Sequence, residues 1–201
     1  MSARLTRTTV AAVGAALVLS ACGGDDTGGD GGDAGADDGT TDASGEFDLV
    51  EEGVLTACSD VPYPPFEVED PSSPSGYGGF DIDLLQAIAD NLGLELSVQD
   101  VSFDALQSGT VLAAGQCDMG ASAMTITEER EENLDFSEPY YDSLQSLLVN
   151  EETGIESIED LGDFTVGVQQ GTTGQTYTEE NAPEGTEIVD YPSDGELWPA
   201  L

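Results

Sequence analysis

The sequence predicts an α/β fold with a mainly parallel sheet. Strand-patterned and helix-patterned segments alternate along the chain. From Glu46 the composition becomes that of a globular domain, and the roughly 155 residues that follow suffice to bury one good core. Val54, Leu55 and Ala57 in "GVLTACSD" form a short buried strand ending at Asp60, and the prolines of "VPYPPF" force a loop after it. "GFDIDLLQAIADNLG" is the clearest helix. Ile82, Leu85, Ile88, Ala89 and Leu92 line one face, Asp81 suits the positive helix start, and Gly93 suits its end. "LELSVQD" alternates Leu94, Leu96 and Val98 as a half-buried strand does. "SFDALQSGTVLAAG" reads as helix with a break near Gly109, and "CDMGASAM" as a small-residue strand running into a loop. "TEEREENL" has helical spacing with Thr127 as its N-cap. Beyond it the pattern gives a strand at Ser143 to Asn150, a short helix at "SIEDL" and a strand at "FTVGV". "GTTGQTYTEEN" then leads into a helix, "EIVDY" is a strand, and a helix begins in "SDGELWPAL".

The segment before this domain reads differently. Arg4 and Arg7 precede an apolar run from Val10 to Leu19 that is too short to span a bilayer, the layout of a secretory signal over residues 1–21. "LSAC" resembles a bacterial lipobox, which implies acylation of Cys22. Sixteen of the 23 residues from Gly23 to Gly45 are Gly or Asp, so residues 22–45 are expected to be a disordered tether reaching about 25–30 Å.

Charge narrows the function classes. The chain carries 42 Asp and Glu against three Arg, with no Lys and no His. Nucleic acid is excluded as a partner, because three Arg against 42 acids cannot displace its counterions. An anionic membrane surface is excluded likewise, leaving the lipid anchor as the link to a membrane. The absence of His and the spread of the acids argue against a zinc site, and no cofactor is expected. Cys58 and Cys117 form an even number in an exported chain, consistent either with pairing or with two buried thiols.

In parallel α/β sheets ligands bind beyond the carboxyl ends of the strands. "SDVPYPPF", "SAMTITEER" and "QQGTTG" all occupy that position, each with backbone N–H groups near a helix start that favour an anion. Arg130 adds a permanent charge with paired donors shaped for a carboxylate. The alternative for Arg130 is a surface ion pair with Glu128, Glu131 or Glu132.

Four stretches, "LTACSDVPYPPFE", "GGFDIDLLQAIADNLGLEL", "SAMTITEEREENLDFSEPYY" and "VGVQQGTTGQTYTEE", together resemble the polar amino-acid family of extracellular solute-binding proteins, the capture components of ABC importers. The resemblance implies a periplasmic-binding-protein-like fold of two lobes with mainly parallel sheets. Lobe 1 would occupy residues 46–147 and an incomplete lobe 2 residues 148–201. It implies a free amino acid as ligand, held in the cleft by hinge closure, and permease subunits of an importer as partners. Arg130 would grip the ligand α-carboxylate, aided by Thr125, Thr172 and Thr173. The Thr125 hydroxyl and the Ala123 carbonyl would accept from the ammonium. Tyr63 and Phe103 would stack on the ligand side chain, and Asp60 would meet a basic group. Packing within their own lobe is the alternative for the two aromatics, and a plain helix cap for Thr172 and Thr173.

In this fold the strands bearing Cys58 and Cys117 are neighbours, which implies a disulfide. Acidity and the two aromatics favour a polar or cationic ligand such as arginine, lysine, histidine or glutamine. Glutamate would need a second cation in the cleft. Two rival readings on the same architecture are a receptor's ligand-sensing domain and a dehydratase-like enzyme. The chain departs from the family by a small insertion within "QSGTVLAAGQ" and by ending before the family's second lobe does, so a C-terminally truncated product is expected.

Overall fold

The computed structural model describes residues 47–201, so the expected signal, the tether and Cys22 lie outside the described residues. Seven strands occur there: β1 (Val54–Ser59), β2 (Val68–Glu69), β3 (Tyr77–Gly78), β4 (Glu95–Asp100), β5 (Met119–Gly120), β6 (Thr165–Gln169) and β7 (Glu187–Tyr191). The helices are α1 (Phe80–Leu92), α2 (Phe103–Gln107), α3 (Thr110–Ala113), α4 (Glu128–Glu131), α5 (Thr173–Asn181) and α6 (Asp194–Leu197). "SIEDL" forms a 3₁₀ turn at Ile158–Leu161.

Three strands form a parallel sheet in the order β4–β1–β5, two more form a parallel pair β6–β7, and β2–β3 is a small antiparallel ribbon. The central strand β1 is buried from Leu55 to Ser59, as a parallel strand covered on both faces must be. Against one face α1 packs Ile82 and Leu85 onto Ala57, with Leu96, Val98 and Met119 around them. Ile88 and Leu92, on the expected apolar face, are only half-buried. Gly93 closes the helix in the left-handed region at φ 70°. On the other face Cys58 and Cys117 pack with Leu106 and Val111, and the two cysteines form a disulfide with their Cα atoms 5.8 Å apart.

The helical segment after Ser102 breaks where the sequence placed the break. Gly109 sits at φ 74°, in the left-handed region, and separates α2 from α3. Gly120 in β5 serves a different end, since a Cβ there would lie 2.6 Å from Leu106 Cδ1. A small residue is what lets α2 approach the sheet. The β6–β7 pair has its own core of Leu161, Val166 and Val168, flanked by Ile155, Ile158 and Ile188.

Two sequence expectations need correction. Ser143 to Asn150 is not a strand: the segment carries no ladder among the described residues, and Leu144 is 93% exposed. An apolar stretch such as Leu147 to Val149 gives strand potential, but a strand exists only where a neighbour completes its hydrogen bonds. Helix α4 is also shorter than "TEEREENL" suggests, because Glu128, Glu131 and Glu132 repel one another at i,i+3 and i,i+4 spacing.

Candidate functional site

Arg130 lies on α4, whose N-cap Thr127 accepts from the Arg130 N–H at 3.3 Å. Its side chain is buried, 5% exposed, and no ion pair with Glu128, Glu131 or Glu132 occurs among the described residues. Nε donates to Gln107 Oε1 at 3.3 Å, Nη1 to the Thr125 carbonyl at 2.6 Å, and Nη2 to the Gly171 carbonyl at 2.9 Å. The guanidinium lies 5.3 Å from the centroid of the buried Phe103 ring, a cation–π contact. Burial lowers the Arg130 pKa, with Glu129 opposing, yet a guanidinium remains a cation. Thr127→Ala removes the cap from this one-turn helix. It should cost about 1 kcal/mol in urea denaturation.

The facing wall comes from the end of β6 and the start of α5. Thr172 caps α5, accepting from Gln175 N at 3.1 Å and donating to the Gln169 carbonyl at 2.8 Å. The Thr173 hydroxyl accepts from Gln145 Nε2 at 2.9 Å. Neither Thr125 N–H nor Thr173 N–H donates to a protein group among the described residues. Arg130, Thr172, Thr173, Gln107 and Gln145 line one cavity of about 480 Å³. Its chemistry suits an anion: a buried fork of donors on one wall and a helix start on the other.

Asp60 follows β1 and is buried. Its N–H donates to Ser122 Oγ at 3.1 Å, and its carboxylate accepts from Gln169 Nε2 at 2.5 Å. Burial raises its pKa to about 6, opposed by the Gln169 bond and reinforced by Asp100 and Asp194. With Asp100, Ser102 and Ser193 it borders a second cavity of about 260 Å³. Tyr63 stacks on Phe66 at 5.8 Å, within an aromatic group that includes Phe80, Tyr140 and Tyr141. Ala123 has φ 44°, and its N–H donates to Asp81 Oδ2 at 2.6 Å.

Residues 55–191 match the family described as bacterial extracellular solute-binding proteins, family 3. The chain belongs to this family. This solute-binding protein is 38% identical over 122 residues to the arginine-binding extracellular protein ArtP of Bacillus subtilis, covering 61% of this chain and 46% of that one. It is 32% identical over 145 residues to the histidine-binding periplasmic protein of Escherichia coli, covering 71% and 54%. Among solved structures it resembles an ancestral arginine-binding protein bound to arginine, with TM-score 0.68 and 34% identity over 74% of this chain and 65% of that one. An ancestral amino acid-binding protein described as a precursor of cyclohexadienyl dehydratase matches with TM-score 0.68, 35% identity and the same coverage. The chain spans about half the length of the curated relatives it matches.

The solute-binding protein's site thus brings Arg130, Thr172 and Thr173 to one cavity and Asp60 to another. Thr125 and Phe103 touch Arg130 directly, whereas Tyr63 lies in the aromatic group. Sequence reasoning missed Gln107, Gln145 and Gln169. Gln169 was reachable, since it stands at the carboxyl end of β6 where ligand residues gather. Gln107 and Gln145 gave no signal, because their positions depend on how distant segments pack.

Proposed function

We propose that this chain is the lipid-anchored capture component of an amino-acid ABC importer. It would take a free polar or cationic amino acid and present it to the importer's permease subunits on the outer face of the cell membrane. Arg130 carries the reading, as a buried cation with no acidic partner among the described residues, bonded to carbonyls on both walls of a cleft. Three of its N–H groups are engaged, and a guanidinium has five. The α-carboxylate would take the remaining donors of Arg130 together with Thr125 N–H and Thr173 N–H, with Thr172 holding the helix start in place. The Thr125 hydroxyl and Ala123 carbonyl would receive the ammonium. Asp60, with Tyr63 and Phe103, would select the side chain.

Closure follows from the same contacts. A ligand that touches both walls favours the arrangement that brings them together. The Arg130–Gly171 and Asp60–Gln169 bonds already join them. The reading is one of binding and delivery, with no bond broken. Names among the relatives point the same way: arginine, glutamine and histidine are what those proteins are said to bind.

A thermal-shift screen of the twenty amino acids, followed by calorimetry, tests this. Arginine, glutamine or histidine should raise Tm and bind more tightly than glutamate, which brings a second carboxylate to a chain with no second cation after Arg7. Tighter binding of glutamate would overturn the side-chain selectivity. No shift with any amino acid would overturn the capture reading.

A further inference from the structure

Two carboxyl groups near the site have no part in ligand contact. Glu67 and Asp81 are both 0% exposed, on the ribbon segment before β2 and the first turn of α1. Each has a buried oxygen without a conventional donor, Glu67 Oε2 and Asp81 Oδ1. The Asp81 N–H donates to the carbonyl of Phe66, the residue before Glu67, at 3.1 Å, which holds the two acids side by side. Two ionised carboxylates this close in the interior would each lack a donor and repel. One proton between them removes both difficulties, because an O–H on Glu67 donates to the orphaned oxygen of Asp81.

The remaining oxygens reach the ligand-binding loop and the segment after α4. Asp81 Oδ2 accepts from Ala123 N–H at 2.6 Å and from Tyr140 Oη at 2.9 Å. Ser59 Oγ donates to the Ala121 carbonyl at 2.6 Å and lies 3.4 Å from Glu67 Oε1. Ala123 is the one non-glycine residue with positive φ among the described residues, a conformation that needs support from its surroundings.

We propose that Glu67 and Asp81 share one proton, and that this carboxylic acid–carboxylate pair is a positioning element that fixes Ala123 and fastens the loop 121–125 to Tyr140. The pair itself stands independently of ligand binding, whereas its consequence for affinity rests on the capture reading. The titratable groups facing the pair are Tyr140 and Tyr63, both pushed upward by burial and by the acids beside them. Burial and the neighbouring Asp81 raise the Glu67 pKa to about 9, from an ordinary 4.5.

The sign is therefore fixed. Folded Glu67 keeps its proton to about pH 9 while the unfolded chain releases it near 4.5, so stability falls as pH rises through that window and levels off above it. Composition makes the upper part of the window clean. The chain has no His and no Lys, and Asp60 is already ionised above about pH 6.

The test uses the whole chain. Infrared spectra should contain the C=O band of a buried protonated carboxyl at pH 7, lost as pH passes about 9 and missing in Glu67→Gln. The unfolding constant should rise by up to about tenfold per pH unit between pH 7 and 9 and be flat in Glu67→Gln, whose amide still donates to Asp81. The Ala123 amide resonance should titrate with the same midpoint and cease to do so in Glu67→Gln. Asp81→Asn should weaken arginine binding about tenfold. Absence of the band at pH 7, its persistence in Glu67→Gln, or an Ala123 amide that ignores pH would each overturn the proposal. If arginine does not bind at all, the capture reading fails while the infrared and unfolding arms still decide the pair.

Discussion

Arg130→Ala is expected to abolish measurable amino-acid binding while leaving a folded protein. A guanidinium that grips a carboxylate inside a partly dry cleft supplies both charge and geometry, and truncating one partner of such a pair costs about 2–5 kcal/mol, or about 30- to 4,000-fold in affinity. The wall loses more than charge. Thr125 and Gly171 carbonyls lose their donors, and Phe103 loses the cation stacked on its ring. Arg130→Lys keeps the charge without the planar fork, so its affinity should fall between the two. Calorimetry with arginine measures the loss, and circular dichroism establishes that the variant folds. Unchanged affinity in a folded Arg130→Ala protein would remove the carboxylate role and, with it, the main support for capture.

Removing the Cys58–Cys117 disulfide should produce the largest loss of stability. The bond closes a loop with a sequence separation of 59, and the chain-entropy relation assigns such a loop about 4 kcal/mol. That is a large share of the 5–15 kcal/mol typical of a folded domain. Both sulfurs sit in the core beside Leu106 and Val111, so the bond also fixes the start of β5 against β1. The double variant Cys58→Ala, Cys117→Ala should lower Tm by about 8–16 °C, and reductant should do the same to the parent protein. Equal urea midpoints for the parent and the double variant would show that the bond contributes nothing.

Much of this was legible in the chain. Local chemistry wrote β1, α1, the break at Gly109 and the caps at Thr127 and Thr172, because period, capping residues and glycines act over a few neighbours. Arg130 was conspicuous as the one cation after Arg7, and its place after a strand marked it for an anion. Asp81 stands in the first turn of α1, as its sequence position suggests. Its sequence position suits the helix dipole, but the fold buries it fully against Glu67, Ala123 and Tyr140.

What the sequence by itself determined was therefore the order of elements, the preponderance of acidic residues, and Arg130 as the one cation after Arg7. Only the tertiary structure decided that Ser143 to Asn150 would remain unpaired, that Arg130 would join Thr125 to Gly171, and that Glu67 and Asp81 would both be fully buried. The physical reason is range. Propensity and periodicity are set by residues a few positions apart, whereas a strand's partner, the burial of two acids and a cross-cleft hydrogen bond are set by segments the chain brings together only on folding.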